Sequence, residues 1–394
     1  MISRGPGAAA EAGIPASVRD IFAAPNYSAW VREAIRTGDT RRDSAVLYGS
    51  SISEPTDELV ALVREAFSAR LTSRYISVFS DGNRFVADAI CARYGVSPEE
   101  VVTTTGVTSA LAMVLKAFVA PGDHVLIEQP GFDLLGSAAR EAGAKVEALR
   151  RAPPDFKIDL NRLAEQLTSR TRLVLITNLH NPSGAHLTAQ EIVDIARVAA
   201  KVGAVLFVDE VYADFMRPKA TAPAATLAPN IISANSLTKV FGLHALKCGW
   251  MIGKPELLER VLNDSSEGDG GISKLSHAVA AHVLESAQIF DKRWQILLAF
   301  TRPILARHAD AMVADSLIEG ALPDYGCMYF PKIVGVRDTT GLARKLWERY
   351  ALLVAPGEYF GMPGHIRIGF GSGENVLDDG LARLHRALKD IRAS

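Results

Sequence analysis

The stretch "NSLTKVFGLHALKCGW", Asn235–Trp250, poses the question on which the reading of this chain turns. It sets a lysine, Lys239, between two hydroxyl side chains and a glycine-spaced apolar run. Lysine is ordinarily a surface residue, because its ammonium is strongly hydrated. A lysine desolvated at the end of a strand has another use: its amine forms an imine with a carbonyl compound. Ser236 precedes Lys239 in the same run, and Lys247 follows it in "GLHALKCGW".

Working outward, "AVLFVDEVY" (Ala204–Tyr212) runs an apolar segment into Asp209. The carboxylate is therefore expected at the carboxyl end of a buried strand, where open α/β sheets bind their ligands. A carboxylate buried there needs a partner. By itself Asp209 reads equally as a helix cap, and Tyr212 either turns back toward the same place or packs. "RLVLIT" is a further strand, ending before Asn178, and Asn181-Pro182-Ser183-Gly184 reads as a turn on the same edge. In "TTTGVTSALAMVL" a strand runs into Gly106, and Val107, Thr108 and Ser109 open a helix. Free N–H groups at such a start form an anion site, with phosphate the usual guest. The pattern is neither a Walker A loop nor a GxGxxG fingerprint, so nucleotide binding is not indicated. "IEQPGFD" presents Phe132 after the next strand, as a stacking face or as core. "GHIRIGFG" sets Arg367 in an apolar strand, where a bidentate carboxylate matches its planar fork.

The wider pattern is strand–helix alternation. "VVTTT", "HVLIE", "RLVLIT", "AVLFVD", "IISAN" and "GWMIG" are short, branched and apolar, as buried strands are. Between them the clearest helix is Thr188 to Val202, where "TAQE" is a capping box ahead of Ile192, Ile195 and Val198. The class expected is α/β: a mainly parallel sheet covered by helices on both sides, with a smaller α+β domain. The polar loop "NDSSEGDGGISK" precedes a long helix expected through about His308, and a final helix carries Leu377, Leu381, Leu384, Leu388 and Ile391 on one stripe. The domain expectation is 46–285 for the large domain, and 1–45 with 286–394 for the small one.

Composition excludes several classes. Lys and Arg total 43 against 44 Asp and Glu in 394 residues, a net charge of -1. No basic block supports a nucleic-acid partner. Cys91, Cys248 and Cys327 show no metal-ligand spacing and suit a reducing cytoplasm. No apolar run is long enough for a membrane span, and the N-terminus lacks a signal-peptide pattern. A soluble cytoplasmic protein with no membrane partner is expected.

Taken together, "SLTKVFGLHALKCGW", "VDEVY" and "NPSG" resemble the signatures of fold-type-I pyridoxal-phosphate enzymes of the class I/II aminotransferase family, over roughly Val46 to the C-terminus. The resemblance implies roles. Lys239 would carry the cofactor and serve as proton-transfer base, and Asp209 would pair with the pyridine nitrogen. Asn181 and Tyr212 would bond the ring's phenolic oxygen, and Phe132 would stack on the ring. Val107 and Thr108 would offer N–H groups to the phosphate, joined by Ser236 and Lys247. Arg367 would clamp the substrate's α-carboxylate. Tyr75, in "RYISVFSDG", resembles a tyrosine that reaches the neighbouring subunit's phosphate in a homodimer with shared sites. The chain departs from the family pattern at Lys247, usually arginine, and at Phe132, often tyrosine or tryptophan.

The resemblance implies amino transfer between an amino acid and a 2-oxo acid. The same residues would serve a pyridoxal-phosphate lyase or decarboxylase. A non-catalytic ligand sensor is the alternative from another class, but the segment before Val46 shows no charge bias toward a DNA-binding domain. The side-chain pocket is expected near Gly49-Ser50-Ser51 and the partner subunit.

Overall fold

All six apolar runs form strands of one eight-stranded sheet. The computed structural model describes residues 20–38, 41, 43–67, 74–75, 82–217, 222–264 and 272–393. In chain order, a short strand β1 (Ala45–Val46) precedes the sheet strands β2 (Val101–Thr104), β3 (His124–Gln129), β4 (Lys145–Ala152), β5 (Lys157–Ile158), β6 (Thr171–Thr177), β7 (Val205–Asp209), β8 (Ile231–Ser236) and β9 (Gly249–Gly253). Their spatial order is β2-β9-β8-β7-β6-β3-β4-β5. From β8 through β7, β6 and β3 to β4 the neighbours run parallel, while β9 is antiparallel to both β8 and β2.

Side-chain alternation explains why the sheet is covered on both faces. Leu173, Leu175, Val205 and Phe207 enter one apolar cluster with Leu111 and Val114 of the helix Val107–Phe118. Val174, Ile176, Leu206 and Val208 enter the other, with Ile192 and Ile195 of the helix Ala189–Ala200. Both faces being apolar, these strands read as continuous hydrophobic runs. The helix Ala189–Ala200 is capped by Thr188, whose box with Glu191 is present.

Two parts differ from the sequence expectation. Strands β4 and β5 lie outside the six expected runs: β5 is two residues long, and half the positions of β4 are exposed, so "KVEALRRA" carries the charges of a strand near the sheet's end. The long helix after the glycine-rich loop is two helices, Lys274–Glu285 and Ala287–Ala314, meeting at Ser286. The second runs past His308 and carries Pro303 within it.

The C-terminal part contributes β10 (Ile318–Glu319), β11 (Met328–Tyr329), β12 (Lys332–Ile333), β13 (Leu352–Leu353), β14 (Ala355–Pro356) and β15 (Ile366–Gly369). β15 lies between β11 and β14, antiparallel to both. β1 pairs parallel with β13, so the segment before the large sheet is tied to the C-terminal part. A Cβ on Gly369 would fall 1.8 Å from the Gly49 carbonyl oxygen. Only glycine there lets residues 47–50 lie against β15. The final helix, Glu374–Ala393, buries Leu377, Leu381, Leu384 and Leu388 as expected. Among the described residues, no helix is long and apolar enough to cross a membrane.

Candidate active site

The pairing directions bring the carboxyl ends of β2, β3, β6, β7 and β8 to one edge of the sheet. Asp209 ends β7 and is 6% exposed. Among the described residues its carboxylate accepts one hydrogen bond, from the Val211 N–H at 3.0 Å. Burial pushes its carboxyl up to about 7; the Val211 N–H opposes that shift, nearby Glu128 adds to it, and Lys239 opposes it. Such a carboxyl is poised to accept a cationic N–H that arrives with a ligand.

Lys239 follows β8 and is partly buried. Its Nζ lies 3.3 Å from Ser50 Oγ. Loss of hydration, helped by Arg367 and opposed by Cys327 and Asp209, lowers the ammonium to about 8. An amine so shifted is available for nucleophilic and proton-transfer work near neutral pH. Ser50 also hydrogen-bonds Tyr212, whose buried phenol is held well above its ordinary range, chiefly by desolvation.

Arg367, on β15, is fully buried. Nη1 donates to Asn181 Oδ1 at 2.8 Å; Nη2 donates to the Tyr48 carbonyl at 2.8 Å and to the Tyr27 hydroxyl. The guanidinium lies 4.8 Å from the ring centres of Tyr27 and of Phe360. Its Nε is buried and has no hydrogen-bond partner among the described residues. A buried guanidinium with unspent donor capacity and no carboxylate among these partners suits an incoming anion. Phe132 precedes the helix Asp133–Glu141 and meets the Tyr27 ring edge-on at 6.1 Å.

The helix Val107–Phe118 begins at Gly106, whose φ is 141°, with no side-chain cap. Its first N–H groups are thus left for a ligand, and Thr108 is exposed. β9 runs beside that start: a Cβ on Gly249 would fall 2.6 Å from Gly106 Cα, and Gly249 is in register with both Thr104 and Ser236. Lys247, two residues earlier, is exposed and has a positive φ of 47°. Tyr75 is half-buried and packs edge-on against Phe67 at 6.4 Å.

Lys239, Asp209, Tyr212, Asn181 and Arg367 are therefore drawn together, with the uncapped helix start, Ser236 and Lys247 along the same edge. The sequence reading passed over Tyr27, and it assigned Ser50 only to a side-chain pocket. Tyr27 had no local signal, since its role depends on contact with Arg367, 340 residues away. Three features are left open among the described residues: an acid raised by burial, an uncapped helix start and a guanidinium whose Nε has no partner. They fit pyridoxal phosphate and a carboxylate substrate, so Asp209 would face the ring nitrogen and the helix start the phosphate.

The family model for aminotransferase class I and II matches residues 50–384. Capreomycidine synthase of Streptomyces vinaceus is 28% identical over 375 residues, covering 91% of this chain and 92% of that protein. A PLP-dependent aminotransferase structure from Streptococcus suis, 23% identical, superposes with a TM-score of 0.82 over 91% of this chain and 97% of that one. The PLP-dependent cyclase OrfR, 27% identical, does so at 0.79 over 91% and 96%. With the match spanning most of its length, this chain belongs to the class I and II aminotransferase family and is a pyridoxal-phosphate protein.

Proposed function

We propose that this protein is an aminotransferase that moves an amino group from an amino acid to a 2-oxo acid. The observation that carries the reading is the convergence of Lys239 and Asp209 with the buried Arg367 at one sheet edge. When bound, pyridoxal phosphate supplies an electron sink for the bond that breaks at the substrate's Cα. Arg367 binds the α-carboxylate through its fork and orients Cα toward Lys239. Lys239 Nζ, its pKa lowered to about 8, takes the Cα proton and returns it at the other end of the transfer. Asp209 holds a proton on the ring nitrogen, and Asn181 and Tyr212 fix the ring's phenolic oxygen. Phe132 would stack on the ring, with Tyr27 packed edge-on beside Phe132 and against the Arg367 guanidinium. A homodimer in which Tyr75 reaches the neighbouring site, and the division into 46–285 and 1–45 with 286–394, belong to the same proposal.

A second reading has a specific support. The PLP-dependent cyclase OrfR and capreomycidine synthase are 27% and 28% identical to this chain, so ring-forming chemistry is carried on a similar scaffold, and a lyase or decarboxylase would draw on the same residues. Incubating the holoenzyme with a panel of amino acids separates the two. Transamination converts the donor stoichiometrically to its 2-oxo acid, with loss of the cofactor's long-wavelength absorbance. Turnover in which the cofactor's long-wavelength absorbance persists, giving an amine, a cyclised amino acid, or a 2-oxo acid with free ammonia, would favour the second.

A further inference from the structure

Behind the site lies a buried ionic network that the roles above do not use. Glu128 ends the run "HVLIE" on β3, Arg151 is on β4, and both side chains are wholly buried. Arg151 Nη1 donates to Glu128 Oε2 at 2.6 Å and to the Thr177 carbonyl at 3.3 Å; its Nε donates to the Phe156 carbonyl at 2.5 Å. Glu128 Oε1 accepts both from the Thr177 N–H, at 2.9 Å, and from the Thr177 hydroxyl, at 2.5 Å. Replacing such a pair by apolar side chains of the same volume would often cost nothing in stability. Its presence here therefore asks for another reason.

The direction of one bond supplies it. Thr177 Oγ1 accepts the Asn181 N–H at 3.0 Å. A hydroxyl has one proton, and that proton is committed to Glu128, so its lone pair is aimed at Asn181. Asn181 in turn presents Oδ1 to Arg367 Nη1 at 2.8 Å. The links run without a gap from Arg151 through Glu128, Thr177 and Asn181 to Arg367, and all five residues are buried. Thr177 also stands in register with Asp209 across β6 and β7.

We propose that Glu128 is a positioning residue for the substrate clamp: through the Thr177 hydroxyl it fixes the Asn181 turn, and through Asn181 it sets the plane of the Arg367 fork. The inference rests on the proposed role of Arg367 as the carboxylate clamp. A guanidinium rotated out of plane keeps its charge and loses the two-point fit, so carboxylate affinity falls while the cofactor stays bound.

The test uses the holoenzyme and a non-reacting carboxylate, a 2-methyl amino acid, titrated against the cofactor's absorbance. Thr177→Val keeps the side-chain shape and removes the relay hydroxyl. It should weaken the carboxylate by about 5- to 20-fold, leave cofactor affinity within about twofold, and raise KM more than it lowers kcat. Thr177→Ser should restore binding. Glu128→Gln, which sets an amide against the Arg151 guanidinium, should reproduce the loss; should it fail to fold, Thr177→Val and its serine rescue still decide. Unchanged carboxylate affinity in Thr177→Val, or equal loss of cofactor and carboxylate, overturns the relay. Arg367→Lys run alongside separates the two failures: if it too binds the carboxylate normally, the clamp assignment itself has failed.

Discussion

Asp209 stores its readiness for a cation as a stability cost, and that cost can be measured. Its carboxyl is raised from 3.8 to about 7 by burial. Each unit is worth about 1.4 kcal/mol, so the cofactor-free protein gives up at most about 4 kcal/mol once the group is ionised. The sign follows from linkage. Below pH 3.8 the folded and unfolded states are both protonated and nothing is lost. As pH rises, the unfolded chain ionises first and stability falls until the folded carboxyl ionises near 7. Asp209→Asn keeps an oxygen for the Val211 N–H and removes the titration. In urea melts of the cofactor-free proteins, the variant should gain on the parent by roughly 2.5 kcal/mol between pH 5 and pH 8. Glu210, raised to about 8 by burial, titrates in the same direction but is present in both proteins. The small part of its shift due to Asp209 adds to the expected difference rather than opposing it. With cofactor present the ranking should invert, because the variant loses the ring-nitrogen partner. Parallel pH profiles for the two cofactor-free proteins would refute the reasoning.

Borohydride reduction of the holoenzyme followed by peptide mapping should label Lys239; a label elsewhere removes the central assignment. Arg367→Lys keeps a charge but not the fork, and should raise KM for carboxylate substrates by roughly 10- to 150-fold with cofactor absorbance intact; an unchanged KM would make Arg367 structural. Lys247→Met should weaken cofactor affinity by about 10- to 150-fold, read by titrating the cofactor-free protein. Lys247→Arg should retain affinity, and an unaltered methionine variant would leave the phosphate to backbone groups and Ser236. Mixing Tyr75→Phe with Lys239→Ala subunits should regenerate some intact sites if the dimer shares them; a fully active monomer would end that proposal.

Much of the fold was legible because the burial of both sheet faces writes itself as uninterrupted apolar runs. Asp209, Lys239 and Arg367 stood out because an ionisable group in such a run needs a chemical reason. β4 escaped because a partly exposed strand shows charges that mimic a surface helix or loop. Ser286 escaped because a one-residue break leaves the apolar stripe unaltered on either side. Tyr27 and Thr177 escaped for a different reason: a tyrosine in an amphipathic helix and a threonine ending a strand are ordinary residues. Only the geometry that brings Tyr27 to Arg367, and Glu128 to Thr177, gives them a task.

The pairing of Tyr27 with Arg367 has a consequence for how the protein comes into being. Ribosomes release the chain from its N-terminus, so Lys239, Asp209 and every strand of the large sheet emerge before Arg367 does. Tyr27 leaves the tunnel early and must wait for a partner 340 residues behind it. During that interval the nascent chain has the groups that would receive the cofactor but not the arginine that would receive a substrate. Chain order therefore puts the residues expected to hold the cofactor ahead of the one expected to hold the substrate, and the substrate side of the site is complete only once β15 lies against residues 47–50.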